Sequence, residues 1–252
     1  MADLDIFQFE IFKKFPELVQ GISTRKGGVS SGHLDSLNLG LQVGDKQENL
    51  EENFKRFCSA VGVDREHLCI AYQEHTSNIV TISDASKIGL KCPFESIDGF
   101  ITSVAEVPLM VRFADCQGVF FYEPEMKVVA AVHSGWRGNA KNIIGKAVKK
   151  MVDEYKCRAS DIVVGISPSL GRCCAEFSDP YKELPEHLHD FVDGRMVDLW
   201  EASRVQLLDA GVKEENIEIA GICTVCENER FFSYRGGKKR CGHNGGVIMM
   251  KG

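Results

Sequence analysis

The alternation of apolar and polar residues divides the chain into strands and amphipathic helices. Runs rich in β-branched and aromatic residues predict an edge strand in residues 3–10 and further strands at 18–23, 161–166 and 217–224. Apolar residues at helical spacing predict helices at 46–62, 139–156, 181–191 and 198–210. This alternation predicts a mixed α/β (α+β) fold, in which layered mixed β-sheets are flanked by helices.

The middle of the chain holds two apolar runs, GVFFY and VVAAV, that the turn-prone residues 123–126 connect. This pattern predicts two antiparallel strands and a tight turn. If the turn is centred on Pro124 and Glu125, Cys116 and His133 face each other, with Cβ atoms about 5 Å apart. A thiol and an imidazole at that distance either share a metal ion or form a nucleophile–base pair.

The segment SGWRG (134–138) ends the second of these strands and precedes the helix at 139–156. Its two glycines allow positive φ and a close approach of the backbone. The N–H groups at the start of the helix, together with Arg137, predict an anion pocket. A second interpretation stays open, in which Gly135 and Gly138 only shape a turn and Trp136 fills the core.

Two other segments carry candidate polar groups. Residues 68–82 predict a strand, an interruption and a second strand, and His75 lies in the interruption, where a side chain can enter a cleft. A single histidine in such a place is more often structural. The loop 24–28 places Arg25 and Lys26 beside two glycines, and it either holds an anion or forms a flexible turn.

Composition limits the class of protein. With 252 residues, 44% of them hydrophobic, the chain can bury a sizeable core, and we expect one domain over residues 1–252. A net charge of −6 argues against a surface for nucleic acid or anionic membranes. The first residues lack a signal-peptide pattern, and no apolar stretch approaches the roughly 20 residues that span a bilayer. We therefore expect a cytoplasmic protein whose ten cysteines are reduced.

Several motifs together resemble one protein family. ADC at 114–116, followed by HSGWRG at 133–138 and preceded by QEH at 73–75, is a specific combination. Further matches, in order along nearly the whole chain, are SLNLGLQVGD (36–45), DGFIT (98–102), GISPSLGRCC (165–174), CT (223–224) and FFSYR (231–235). With these motifs the chain is similar to the family variously called YfiH-like, multicopper polyphenol oxidase-like or laccase-domain purine nucleoside phosphorylase.

The resemblance implies a metal site. In the family, His75, Cys116 and His133 would correspond to three ligands of one ion, and they are also the predicted catalytic residues. Two imidazoles and one thiolate with an open fourth position are a catalytic zinc arrangement. Copper is a second candidate, because it binds such ligands more tightly than zinc does.

The resemblance also implies the partners. The segment 36–45 lies near the pocket in the family, so Asn38, with Arg25 and Arg137, forms the predicted substrate-binding set, although Asn38 alone is an ordinary turn residue. The expected partners are small purine nucleosides and phosphate. No nucleic acid or membrane partner is expected, and the protein is predicted to be a monomer or small homo-oligomer.

The match weakens after residue 235. Relatives usually continue SYRR or SHRR and later carry a Gly-Arg step, where this chain has Gly236 after Arg235 and His243 after Gly242. Any part that those arginines play in binding phosphate or in subunit contacts is therefore in question for this chain.

The remaining cysteines suggest two further hypotheses. The spacing CxxC at 223–226, followed by Cys241 and His243, would allow a second, structural zinc site, in which Cys226, Cys241 and His243 are peculiar to this chain. Cys173 and Cys174 are adjacent, and vicinal cysteines rarely form an unstrained disulfide. We expect those two to be packing or loop residues.

Three functions compete. The resemblance favours a zinc-dependent purine nucleoside enzyme that phosphorolyses adenosine, inosine, guanosine and methylthioadenosine and deaminates adenosine. In it zinc would activate water, and a cationic pocket near Arg137 or Arg25 would orient phosphate. A copper-dependent polyphenol oxidase of the laccase type needs several histidine-rich clusters for its four coppers. The chain has only seven histidines, and two of them belong to the predicted metal site, so this function has less support. A metal-free thiol hydrolase would use Cys116 as nucleophile and His133 as base.

Overall fold

The computed structural model describes residues 4–85 and 94–252. Its strands are β1 (Ile6–Phe7), β2 (Leu18–Ser23), β3 (Ala71–Tyr72), β4 (Ile79–Ile82), β5 (Phe94–Glu95), β6 (Gly99–Thr102), β7 (Leu109–Phe113), β8 (Gln117–Glu123), β9 (Val128–Ser134), β10 (Val163–Ile166), β11 (Val192–Asp193), β12 (Met196–Val197), β13 (Ile217–Ile219) and β14 (Asn244–Met250). Its α-helices are α1 (Gln47–Val61), α2 (Trp136–Ala140), α3 (Ile143–Tyr155), α4 (Pro180–Glu183) and α5 (Leu199–Asp209).

Two sheets form the centre of the described chain. The larger has the strand order β13-β10-β8-β9-β6-β4. Its outer pairs, β10 with β13 and β4 with β6, are parallel, whereas the inner pairs are antiparallel, so the sheet is mixed. The smaller sheet has the order β1-β2-β14-β7, and its pairs are antiparallel.

The side chains of β8 explain the layers. Successive residues of a strand point to opposite faces, so Phe120 and Tyr122 pack toward the smaller sheet, while Val119 and Phe121 pack against α3 and the end of α5. On the outer face of the smaller sheet, Phe54 of α1 packs into a third cluster. Because both faces of β8 are buried, its sequence contains the continuous apolar run GVFFY. The predicted layered mixed sheets flanked by helices are confirmed.

Some element boundaries differ from the prediction. The helix predicted at 46–62 is α1, and Gly62 ends it with φ 78. The helix predicted at 181–191 was wrong: α4 stops at Glu183, and a 3₁₀ helix spans Glu186–Phe191. Pro185 causes this break, because a proline disfavours helical geometry in the residue before it, and Leu184 is extended with ψ 147.

Two further helix and strand predictions were too long. The helix predicted at 139–156 is divided into α2 and α3, because Asn142 adopts φ 51 and caps α3 by accepting a hydrogen bond from the Gly145 N–H. The strand predicted at 217–224 ends at Ile219.

The register of the central hairpin also differs from the prediction. Glu123 pairs with Val128, so residues 124–127 form a four-residue turn, in which Lys127 has φ 53. The longer turn shifts the pairing by two residues, and His133 lies opposite Gly118 instead of Cys116. Cys116 therefore lies in the connection between β7 and β8, beyond the paired residues, although it stays close to His133.

The described ranges contain no helix that is both long and apolar enough to cross a membrane.

Candidate functional site

A cavity of about 650 Å³ opens where β7 ends, β8 begins and β9 ends. This volume lies within the usual range of small-molecule sites. The lining includes all three predicted metal ligands and Arg137.

His75, Cys116 and His133 converge at the wall of this cavity. The Nε2 atom of His75 lies 3.7 Å from the Sγ atom of Cys116, and ligand atoms of the three residues all lie within 4.8 Å of one another. A tetrahedral zinc ion with Zn–N of about 2.0 Å and Zn–S of about 2.3 Å requires an N···S separation of about 3.5 Å. The three side chains therefore fit a zinc ion without rearrangement of the His75–Cys116 pair.

The backbone makes this approach possible at Gly135, which directly follows β9. A Cβ atom at this position would lie 2.6 Å from Cys116 Sγ and 3.0 Å from His75 Cδ2. Gly135 has φ −80, and Gly138 lies within α2, so the structure does not require the positive φ that the sequence allowed. The close approach, and not an unusual φ, explains Gly135.

A buried carboxylate that sequence reasoning missed organises the two histidines. Asp98 Oδ1 lies 2.8 Å from His133 Nδ1 and accepts a hydrogen bond of 3.1 Å from the His75 N–H. Asp98 Oδ2 accepts from both the N–H and the hydroxyl of Thr76. A carboxylate on Nδ1 leaves Nε2 of His133 free to face a metal, which is a common arrangement behind metal-bound histidines.

Replacing Asp98 with asparagine should weaken zinc binding about 10- to 100-fold, as loss of a carboxylate behind a metal ligand does. The neutral amide accepts a weaker hydrogen bond from Nδ1–H of His133, which makes the imidazole a weaker ligand, and it holds both histidines less firmly. Competition with a zinc chelator in the full-length protein measures this change. Glu74→Gln is the matched control, because Glu74 is exposed and accepts its side-chain hydrogen bond from Ser96. Equal zinc affinity in Asp98→Asn and the wild type would contradict the role given to Asp98.

The charges of the three groups depend on one another. Burial raises the pKa of the Cys116 thiol, but His133 and His75 outweigh this effect and lower that pKa to about 6. Burial lowers the pKa of His133, yet Cys116 and Asp98 raise it to about 9. Burial also raises the pKa of the Asp98 carboxyl, but His133 and Thr76 hold it well below its usual range. Without a metal ion, the directions of these shifts favour a thiolate–imidazolium pair with a carboxylate behind it.

Arg112 is a second residue that sequence reasoning missed. It lies in β7, is only 6% exposed, and lines the cavity. One Nη atom donates to the carbonyl of Ala71, whereas Nε has no hydrogen-bond partner. In the described part of the chain no carboxylate forms an ion pair with this guanidinium. Burial lowers its pKa to about 10, so the group is still charged at neutral pH. A buried cation without a counter-ion beside a cavity is a candidate anion-binding group.

Two aromatic side chains also line the cavity. Trp136 and Phe177 pack edge to face with ring centroids 6.2 Å apart, and the Arg137 guanidinium carbon lies 4.6 Å from the Trp136 ring centroid. The structure places both Trp136 and Arg137 at the cavity, and the anion pocket stays a prediction. Trp136 packs against a buried cluster and also lines the cavity, and Arg137 is exposed at its rim.

The other two predicted substrate-binding residues lie elsewhere. Among the described lining residues, neither Asn38 nor Arg25 is present. Asn38 is fully buried, donates to Asp45 and accepts from the N–H groups of Gly40 and His243. Arg25 donates to the carbonyls of Asp35 and Asn228. The geometry gives both residues a role in holding loops together, and their contact with substrate stays a prediction.

His243 occupies the cavity wall next to β7. Burial, and then the positive charge of Arg112, lower its pKa to about 3, so the imidazole is neutral in the folded protein. In the unfolded chain a histidine has a pKa near 6.5. The unfolded state therefore binds the extra proton between pH 6.5 and 3, and stability is lost as the pH falls through this window.

The free energy of unfolding should fall by up to about 2 kcal/mol between pH 6.5 and 4.5 through this one group. Partial contact of the ring with solvent makes that figure an upper limit. The His243→Gln variant removes the titrating group, and its stability should decline less over the same range. Urea titrations of both proteins at each pH measure the difference. Identical pH profiles of stability would show that His243 does not cause this loss of stability.

The cysteines of the second-zinc hypothesis are not brought together as proposed. Cys241 is buried beside Ala114 and Phe232, and His243 lies in the cavity wall. Cys226 instead joins Cys173, Cys174 and Cys223, and the four sulfur atoms all lie within 4.8 Å of one another. The expectation that Cys173 and Cys174 are only packing or loop residues therefore misses this cluster.

Comparison with known proteins identifies relatives over nearly the whole chain. The family described as multi-copper polyphenol oxidoreductase laccase matches residues 19–251. The purine nucleoside phosphorylase YlmD of Geobacillus stearothermophilus is 35% identical over 237 residues, which cover 88% of this chain and 86% of the relative. A protein of an unknown prokaryotic organism, named adenosine deaminase RL5, is 29% identical and covers 93% of this chain and 94% of its own length. The crystal structure of YlmD from Geobacillus stearothermophilus superposes with a TM-score of 0.88, at 31% identity, over 95% of this chain and 94% of that structure.

Proposed function

The chain belongs to the multi-copper polyphenol oxidoreductase laccase family, and on that premise we propose that it is a zinc-dependent purine nucleoside phosphorylase that also deaminates adenosine. One observation carries the proposal: three metal-ligand side chains and an unpaired buried guanidinium line the same cavity. The expected substrates are adenosine, inosine, guanosine and methylthioadenosine, and residues 1–252 act as one catalytic domain. The names of two relatives, a purine nucleoside phosphorylase and an adenosine deaminase, support both activities.

His75, Cys116 and His133 are the residues that would hold zinc. Their spacing suits a tetrahedral ion, and a two-imidazole, one-thiolate set leaves a fourth position facing the cavity, as catalytic sites do. Bound zinc supplies Lewis-acid chemistry, which stabilises negative charge on a neighbouring oxygen or nitrogen atom. Asp98 fixes the tautomer of His133 and the position of the His75 backbone, so the ligands are held before substrate arrives.

Arg112 is the residue we assign to phosphate. In phosphorolysis a phosphate oxygen bonds to C1′ of the ribose, the C1′–N bond breaks, and the purine leaves with the electron pair and takes up a proton. The nucleophile is an anion that must enter a partly enclosed cavity, where a fixed guanidinium binds it and orients it. The resemblance implies an arginine where this chain has His243, and Gly245 of β14, two residues further on, pairs directly with Arg112 of β7. We therefore assign the phosphate contact of such an arginine to Arg112.

The two aromatic side chains of the cavity suit the base. The parts of Trp136 and Phe177 that line the cavity provide an apolar surface for a planar purine. Arg137, stacked on Trp136, adds a second positive charge at the rim of the cavity, where it attracts an anionic co-substrate.

The two competing functions have less support. Laccase chemistry requires several copper clusters, and among the described residues His75 and His133 are the histidines that join a metal-ligand group. A thiol hydrolase is consistent with the lowered pKa of Cys116 beside His133, but only when no metal ion occupies these ligands.

The proposal is tested with purified, metal-quantified protein incubated with adenosine, with and without phosphate, and with the products separated by chromatography. We expect adenine and ribose 1-phosphate only when phosphate is present, and inosine in either case. If zinc-loaded protein leaves adenosine, inosine and guanosine unchanged, the proposed function is wrong. Turnover that survives removal of zinc but not alkylation of Cys116 would favour the hydrolase.

A further inference from the structure

A four-cysteine cluster lies outside the cavity described above. Cys173 and Cys174 belong to a 3₁₀ helix, Arg172–Cys174, in the loop that follows β10. Cys223 and Cys226 lie in the loop that follows β13. Because β10 and β13 are parallel neighbours, their carboxyl ends lie at the same edge of the sheet. The fold therefore brings these two loops side by side.

The spacing of the sulfur atoms matches a tetrahedral metal site. Cys226 Sγ lies 3.6 Å from Cys173 Sγ and 3.7 Å from Cys174 Sγ, and all four sulfurs lie within 4.8 Å of one another. In a tetrathiolate zinc site with Zn–S of about 2.3 Å, the sulfurs are about 3.8 Å apart. A disulfide needs about 2.05 Å, and Cys226 is almost equally distant from two partners. The geometry suits one shared ion better than one covalent pair.

The backbone around Cys223 is arranged for a thiolate. The N–H of Gly171 donates to its sulfur at 3.4 Å. An N–H donor at a sulfur atom stabilises the ionised form that binds metals.

The two loops are held close to each other before any metal binds. Ser169 donates its N–H to the carbonyl of Ile222, and Thr224 donates its N–H to the carbonyl of Ser169. Gly171 permits the contact, because a Cβ atom there would lie 3.0 Å from the Cβ of Cys223 and 3.4 Å from the sulfur of Cys173. The ligands are thus presented by a preformed scaffold.

We propose that Cys173, Cys174, Cys223 and Cys226 bind a structural zinc ion that joins the loops after β10 and β13. Each coordination position is filled by a thiolate, so the site is closed and does not act on substrate. This inference concerns the stability of the two loops after β10 and β13, and it does not depend on the proposed function.

The zinc site would also act on the cavity, through hydrogen bonds at Asp115 and Arg235. The hydroxyl of Thr224, next to Cys223, donates to Asp115 at 2.7 Å, and the N–H of Leu170 donates to the Asp115 carbonyl. Asp115 immediately precedes Cys116 and adopts φ 84. Arg235, which lines the cavity, donates to the carbonyls of Cys174 and Glu176. A metal ion that fixes the two loops therefore fixes the connection that carries Cys116.

Metal content is the direct test. The full-length protein is expressed with zinc, purified without chelator, and measured by mass spectrometry of metals for the wild type, Cys116→Ala, Cys226→Ser and the double variant. We expect about two zinc ions per chain in the wild type, one in each single variant and none in the double variant. Cys226 is exposed, so serine should not disturb folding there. If Cys226→Ser retains all the zinc of the wild type, the proposal is wrong.

Cys241→Ser is the matched control. Cys241 belongs to the alternative ligand set suggested by spacing, but it lies apart from the cluster. It should retain both zinc ions. Loss of one zinc ion in Cys241→Ser together with full retention in Cys226→Ser would overturn the assignment of ligands.

Two measurements that do not use activity complete the test. In the Cys116→Ala background, cobalt should produce a thiolate-to-metal charge-transfer band that Cys226→Ser removes. After denaturation of the wild-type protein with chelator and without reductant, all ten of its cysteines should react with an alkylating reagent. Two fewer modified cysteines would indicate a disulfide, and iron in place of zinc would indicate a redox centre. Either result contradicts a structural zinc site.

Discussion

Replacing Cys116 with alanine is expected to lower adenosine turnover by more than about 10²-fold and to remove one zinc ion per chain. Loss of a residue behind a metal ligand already costs 10- to 100-fold, and Cys116 supplies the thiolate itself. Its sulfur lies against Gly135, and alanine leaves only a small gap there. Cooperative thermal unfolding should therefore persist, which calorimetry can verify alongside steady-state kinetics.

Two further variants make this result specific. Cys157→Ala removes a buried thiol in the core between the larger sheet and α3, and it should retain activity and zinc. His75→Ala removes a metal ligand but leaves the Cys116–His133 pair, so the two mechanisms predict opposite results. Loss of turnover supports the metal site, whereas turnover that persists without zinc would show that Cys116 acts as a nucleophile.

Replacing Arg112 with methionine should lower phosphate-dependent formation of adenine by about 10²- to 10³-fold, the usual cost of losing one fixed electrostatic group at a reacting centre. Formation of inosine from adenosine, which uses no phosphate, should change far less. The reason is that, in the proposed function, Arg112 binds the nucleophile of only one of the two reactions. Initial rates at varied phosphate concentration separate a change in KM for phosphate from a change in kcat.

Arg112→Lys and Arg137→Met are the controls for this prediction. Lysine keeps the charge but not the planar guanidinium, so it should recover part of the activity. Arg137 is exposed and stacked on Trp136, and its loss should affect the reaction by less than about 10-fold, as expected of a screened surface charge. Equal loss of phosphorolysis and deamination in Arg112→Met would mean that Arg112 supports the fold and not phosphate.

The central strands could be predicted because their chemistry is local. The runs that became β8 and β9 are apolar on both faces, and a strand needs such a sequence only when both of its faces are buried. The length of their turn could not be predicted, because residues 123–126 are compatible with more than one turn type. This single uncertainty moved the partner of His133 from Cys116 to Gly118.

The predicted metal ligands came from motifs and not from periodicity. His75 and Cys116 are 41 residues apart, and no local pattern relates them. Asp98 and Arg112 were missed because a charged residue inside an apolar segment does not reveal its partners. For Arg112 a signal was present, since it is a lone charge within the buried strand LMVRF.

The four-cysteine cluster was missed for a topological reason. Sequence spacing connects Cys223 and Cys226 with Cys241, which follows them in the chain. The structure connects them with Cys173 and Cys174 because β10 and β13 are adjacent and parallel. Such a pairing depends on the whole sheet and cannot be inferred from either loop alone.

Gly135 has a consequence for how the protein tolerates mutation. It has no donor atom and would escape any search for ligands, yet the smallest side chain would press on both Cys116 and His75. In a saturation mutagenesis experiment that selects for activity, this position should be as intolerant as the ligands around it. The positions that tolerate no substitution would then outline the candidate metal centre by its excluded volume as well as by its chemistry.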